Sequence, residues 1–164
     1  MNKDDILTLF RYNTWANQRI LETTAKISSE QFTEKVPFAF GDLRTTLAHT
    51  LVAEYIWRVR WEGQAPIDIF EADEFPTFAA LQTRWKKEEQ LLSRFIESVS
   101  ERDLIQPVNY KTSKGVHFSE LLWHLMVHLV NHGTQHRSEA AAMLTEFGHS
   151  PGELDFIGFL RINQ

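Results

Sequence analysis

Along four long stretches of the chain, apolar residues recur every three to four positions with polar residues between them, the pattern of amphipathic helices packed on one another. The first stretch runs from about Lys3 to Lys26 and carries Ile6, Phe10, Trp15, Ile20 and Leu21, after which S-S-E-Q at Ser28 to Gln31 opens a short turn or a new helix. A second follows Gly41-Asp42 through Leu43, Leu47, Leu51, Val52, Ile56 and Val59 to Trp61 and stops at Gly63 and Pro66, with Asp42 placed to cap it. Thr77 caps a third, through Leu81, Trp85, Leu91, Leu92 and Ile96 to about Ser100. The fourth begins near Phe118, with Ser119 close to its start, and ends at Phe147-Gly148, glycine being a common helix terminator. Only Ile105 to Tyr110 looks extended; the turn Thr112-Ser113-Lys114-Gly115 and then Val116-His117-Phe118 follow it, a small hairpin or irregular crossover. The pattern predicts an all-α four-helix bundle with a short hairpin or loop between helices three and four, and 164 residues fit one domain spanning 1–164.

Composition narrows the partners. Lys and Arg total 17 against 22 Asp and Glu, a net charge of −5, and no basic cluster forms on any predicted helix face, so nucleic acid is not an expected partner. The N-terminal M-N-K-D-D-I-L-T-L-F is acidic where a signal peptide is basic and then apolar, and no segment approaches the roughly 20 apolar residues of a spanning helix. A cytoplasmic protein with no membrane partner is expected. The chain has no cysteine, which excludes disulfides, thiolate ligands and a cysteine nucleophile; any thiol in its chemistry comes from outside.

Chemistry concentrates in the fourth stretch, where His124, His128, His132 and His136 are each four residues apart in L-L-W-H-L-M-V-H-L-V-N-H-G-T-Q-H-R. Four residues are about one helical turn, so neighbouring imidazoles stack along one face and can close on a single ion, as paired histidines do in metalloproteases. Leu121 and Leu125 before the ladder and Ala140, Met143 and Leu144 beyond it carry the same apolar stripe, so the histidines are expected to face the core. A drift of about 40° per four residues leaves adjacent pairs as the chelates and excludes the whole ladder; spacing alone does not choose between pairs. A third ligand from another helix is required, and His49, bordering the apolar stripe of the second, is the candidate. Three histidines with open positions are the arrangement of a catalytic zinc site.

These residues carry a resemblance. F-R-Y-N-T-W-A-N near the N-terminus, G-D-L-R-T-T-L-A-H-T-L-V-A-E-Y-I-W in the second helix and N-H-G-T-Q-H-R in the fourth make the chain similar to the DinB/YfiT-like superfamily of metal-binding four-helix bundles, over nearly its whole length. Carried over residue by residue, the resemblance implies His49, His132 and His136 as ligands of a divalent ion, zinc or nickel, and favours that pair over His128 with His132. It also implies a homodimer and a thiol-dependent transferase acting on a small electrophile. Metal-dependent hydrolysis is the nearest enzymatic alternative; a non-catalytic, stress-associated metal-binding module and a metal-free histidine cluster are the others. One departure stands out: where the family usually has R-G-Q, this chain has Arg137-Ser138-Glu139, an added negative charge near the site.

Other residues receive secondary roles. His128 is expected as a core histidine or a partner of the ligands, Trp57 near the pocket, and Arg137 as a helix-contact or anion-orienting group, an ion pair being its commoner use. Arg60, nearly on the face of His49, is a candidate for holding an anionic substrate. Glu54 lies about 140° round the helix from His49 and is expected to serve structure rather than to act as a base. Asn13 and Asn17, four apart on the first helix, suit a polar contact inside the bundle. His117, His124 and His149 are assigned no role.

Overall fold

The helix starts are built by side-chain caps. In the computed structural model, which describes residues 1–37, 40–67, 69–112 and 114–162, helix α1 (Lys3–Thr24) opens on a reciprocal pair in which Asn2 accepts from the Asp5 backbone and Asp5 from that of Asn2. The S-S-E-Q segment forms α2 (Ser29–Thr33) with the same reciprocal cap between Ser28 and Gln31. Asp42 caps α3 (Leu43–Trp61) through the Thr45 N–H and is held in turn by Lys35 at 2.6 Å. A 3-10 turn (Ala72–Glu74) leads to α4 (Phe78–Ser98), capped by Thr77 as expected, and to the short α5 (Glu101–Leu104).

Strands β1 (Pro107–Lys111) and β2 (His117–Leu121) then pair antiparallel, from Pro107 opposite Leu121 to Lys111 opposite His117. The hairpin is longer than the sequence pattern indicates; of its expected turn, Ser113 lies outside the described residues. It also corrects the start of the histidine helix, α6 (Leu122–Glu146), which begins at Leu122 and not near Phe118. Residues 118–121 give their backbone groups to the ladder, Ser119 pairs with Asn109, and the Leu122 N–H is taken by the Gln106 carbonyl at 3.0 Å in place of a side-chain cap. At its other end α6 closes through Gly148, whose φ of 84° lets the His149 N–H reach the Leu144 carbonyl at 2.8 Å. A final helix, α7 (Phe156–Ile162), unmarked by any clear periodicity, docks Phe156 and Phe159 on Tyr12.

The chain is thus mostly helical with one two-stranded sheet. Helix α1 packs on α4 and α6, and α3 packs on the same two. No helix among the described residues is long and apolar enough to cross a membrane.

Two apolar clusters fill the interior. One gathers Ile6, Phe10, Leu92, Ile96, Met126 and Leu129, the other Ile20, Leu47, Leu51, Leu81, Trp85 and Met143. On all four long helices the changeover between clusters falls at buried polar residues: Asn13 and Asn17 on α1, Glu54 on α3, Glu88 on α4 and Arg137 on α6. Asn13 and Asn17 both donate to Glu54 Oε1 at 2.8 Å, and Arg137 Nη1 donates to the Asn13 and Asn17 side-chain oxygens at 2.6 and 2.9 Å. Arg58 binds Glu88 through two guanidinium nitrogens, joining α3 to α4. Unpaired, these groups would each cost kilocalories; paired, they dictate which helix meets which and at what height.

Gly133 leaves room for this network, since a Cβ there would stand 2.7 Å from Arg137 Nη1 and 3.1 Å from Asn13 Oδ1. Gly133→Ala is therefore expected to lower unfolding stability by about 1–3 kcal/mol in urea titrations; a loss below about 0.5 kcal/mol would show that the network yields. Burial pushes the Glu54 carboxyl up to about 7, against the opposing pull of Asn13, Asn17 and Arg137. The folded chain then holds this proton more tightly than the unfolded one, so the contribution to stability is full below about pH 4.5 and is lost as the pH rises to about 7. Measured as the difference between wild type and Glu54→Gln, stability should fall by on the order of 3 kcal/mol between pH 4.5 and 8. A difference independent of pH would refute the assignment.

Candidate metal centre

Helices α3 and α6 face each other where their sequences place histidines. His49 extends from α3, and His132 and His136, one turn apart, from α6. The Nε2 atom of His132 lies 3.2 Å from that of His49 and 3.2 Å from that of His136, and one ring nitrogen from each of the three falls within 4.8 Å of the others. Nitrogens held at about 2.05 Å in a tetrahedral set stand roughly 3.3 Å apart, so the donor atoms have the spacing that one ion needs. The group could hold a metal ion.

The ladder does not face the core as a whole. His136 is buried and His132 half-buried, whereas His128 and His124 are exposed. The expectation of a core position for His128 is corrected by the helical drift, which turns it out of the α3 interface toward solvent. Its ring meets the edge of Trp57 at 5.4 Å and stands 6.0 Å from that of His132. Trp57 also packs on Tyr110 of β1, and the Arg60 guanidinium packs against both rings, 4.9 and 5.0 Å from their centroids, while donating to the Lys111 carbonyl. Arg60 thus fastens α3 to the hairpin beside the histidines. Arg137, about 100° further round α6 than His136, turns into the network with α1 and makes no direct ion pair among the described residues.

Two neighbours of the cluster escaped the sequence reading as partners. Phe40 stacks on His49 with centroids 4.4 Å apart and meets His136 edge-on at 5.1 Å. Its place two residues before the Asp42 cap was the only available hint. Glu139, the family departure, lies one turn beyond His136 and brings Oε2 to 2.8 Å from its Nδ1. The i, i+3 spacing already put it on the same face. His132 Nδ1, by contrast, is buried with no hydrogen-bond partner among the described residues.

Electrostatics prepare the set to donate lone pairs. Burial, and then the neighbouring imidazoles, depress the His49 imidazole below its ordinary range and bring that of His132 down to about 4. Both rings are therefore neutral at pH 7.

The DinB family model matches residues 1–164, and the chain belongs to the DinB family. It is similar to Protein DinB of Bacillus subtilis (strain 168), with 25% identity over 162 residues that cover 93% of this chain and 92% of that protein. Its fold resembles that of a crystal structure described as the conserved protein of locus from Enterococcus faecalis, with a TM-score of 0.64 and 11% identity over 83% of this chain and 92% of that one. The resemblance carried by the histidine motifs is thus borne out at the level of the family.

In metal-free protein, the His132 ring followed by NMR should titrate with a midpoint of about 4. The unfolded chain takes up this proton first, so His132 withdraws stability as the pH falls from about 6.5 to about 4. A midpoint near 6.5 would mean the ring is solvated and the cluster open.

Proposed function

We propose that the chain is a single-domain, metal-dependent enzyme in which His49, His132 and His136 hold a divalent ion, zinc or nickel, and which transfers a small thiol to an electrophilic carbon. The observation that carries this reading is the convergence of one ring nitrogen from each of His49, His132 and His136, on two helices, to within 4.8 Å of one another. Helices α1, α3, α4 and α6, each packed on two others, are read as the four-helix bundle that builds such sites between facing helices. When bound, the ion would supply positive charge that favours the deprotonated form of a thiol or a water in an open coordination position.

The chain's own residues shape the rest. Three donors, with no fourth His, Cys, Asp or Glu in the group among the described residues, leave room for an outside ligand, as catalytic sites do and closed structural sites do not. With no cysteine in the chain, that ligand is not an internal thiol. Phe40 covers His49 and His136, and Trp57 with His128 stands beside His132, so apolar surface flanks the cluster and can seat an electrophile while excluding water. Arg137 contributes by fixing the height of α6 against α1.

Hydrolysis by activated water is the weaker reading, because Glu54 is turned into the α1 contact and Glu139 is engaged by His136, which leaves neither as a general base. A homodimer fits the same proposal, supported by a groove of about 790 Å³ between α1, α4 and α7 in which Leu7, Trp15 and Leu160 are partly exposed. A compartment holding low-molecular-weight thiols, the expected cytoplasmic setting, is what this chemistry requires.

Metal analysis of tag-free protein tests the reading. About one ion per chain is expected, lost in His49→Ala and His132→Ala, and a small thiol should alter the visible spectrum of the cobalt-substituted protein. Metal bound without any response to thiols would leave a structural or binding module; no metal, and none taken up, would end the metalloenzyme reading.

A further inference from the structure

We propose that Glu139 is a positioning residue for the ion, acting through His136, an inference that rests on the metal reading above. The three imidazoles are not held alike. His49 is stacked on Phe40 and His132 has no partner for Nδ1 among the described residues, whereas His136 has a carboxylate oxygen 2.8 Å from Nδ1. An ionised carboxylate only accepts, so the hydrogen bond places the proton on Nδ1 and leaves the Nε2 lone pair directed at the point where the three rings converge. His136 is 5% exposed, so its ring gains this hydrogen bond where solvent offers little competition. A carboxylate behind a metal-binding imidazole fixes tautomer and ring orientation and raises the basicity of the ligating nitrogen.

The same geometry excludes Glu139 as a fourth ligand. Nδ1 and Nε2 point out of opposite sides of the imidazole ring, so an oxygen bound to Nδ1 lies roughly 6–7 Å from an ion on Nε2, far beyond the about 2.0–2.2 Å of a carboxylate ligand. Its effect must pass through the histidine. The side chain of Glu139 is 22% exposed at the helix surface, so replacing it leaves no large cavity and the fold should persist.

Two measurements on the full chain test this, with Glu139→Gln and Glu139→Ala compared to wild type. Glutamine keeps an acceptor for Nδ1–H and alanine removes it. In metal-free protein, ¹⁵N NMR of the His136 ring should show the Nδ1–H tautomer in wild type and Glu139→Gln and its loss in Glu139→Ala. Zinc affinity, measured by competition with a chromophoric chelator, should drop about 10- to 100-fold in Glu139→Ala and stay within about threefold of wild type in Glu139→Gln. The proposal is overturned if Glu139→Ala keeps both the tautomer and the affinity, or if Glu139→Gln is as weak as Glu139→Ala. Wild type that takes up no zinc would sink the metal reading itself, a result distinct from wild type and Glu139→Ala binding equally, which would remove only the role of Glu139.

Discussion

Helix α6 must serve two partners from consecutive residues. His136 points to α3 and the donor cluster; Arg137, about 100° further round, points to α1 and the buried amides of Asn13 and Asn17. Those amides also bind Glu54 of α3, so α1, α3 and α6 are locked at one height by groups that cannot be left unpaired. His49 is five residues from Glu54 on α3, and His132 and His136 flank the same level on α6. Sliding either helix by one turn would break the network and separate the donors together. The apolar clusters on either side supply the burial that holds the helices together, and the polar layer chooses the register in which they associate.

That division explains how three imidazoles are tolerated side by side. Bringing His49 and His132 out of water disfavours their charged forms, so both rings keep a free nitrogen lone pair at neutral pH. The cost is met by the packing of α3 on α6 and by the aromatic contacts of Phe40 with His49 and His136. Two carboxylates are already engaged, Glu139 by His136 of the cluster and Glu54 by α1. An outside nucleophile fits such a centre better than one needing an internal base.

Much of this was legible in the chain. The caps at Asp42 and Thr77 and the helix start in S-S-E-Q were readable because capping is local chemistry, and so were the long helices and the glycine stop at Gly148. His49 with His132 and His136 came together as anticipated, although the choice of pair needed the family resemblance and did not follow from spacing. The expectation that Asn13 and Asn17 make a polar contact and that Glu54 serves structure also holds. What escaped depends on contacts distant in sequence. Residues 118–121 read as helix until the partner strand 107–111 claims their backbone groups, and α7 is defined by its docking on Tyr12. Helical phase misplaced His128, because a ladder repeating every four residues drifts off the apolar face while its spacing still looks regular. In the sequence Glu139 reads only as added charge; its hydrogen bond to His136 is a feature of the folded chain.

X-ray absorption at the metal edge of the loaded, tag-free protein tests the central claim most directly. Three imidazole nitrogens at about 2.0–2.1 Å, with a sulfur at about 2.3 Å appearing when a small thiol is added, is the result this account predicts. A shell lacking imidazole scattering, or four protein ligands unchanged by the thiol, would contradict it.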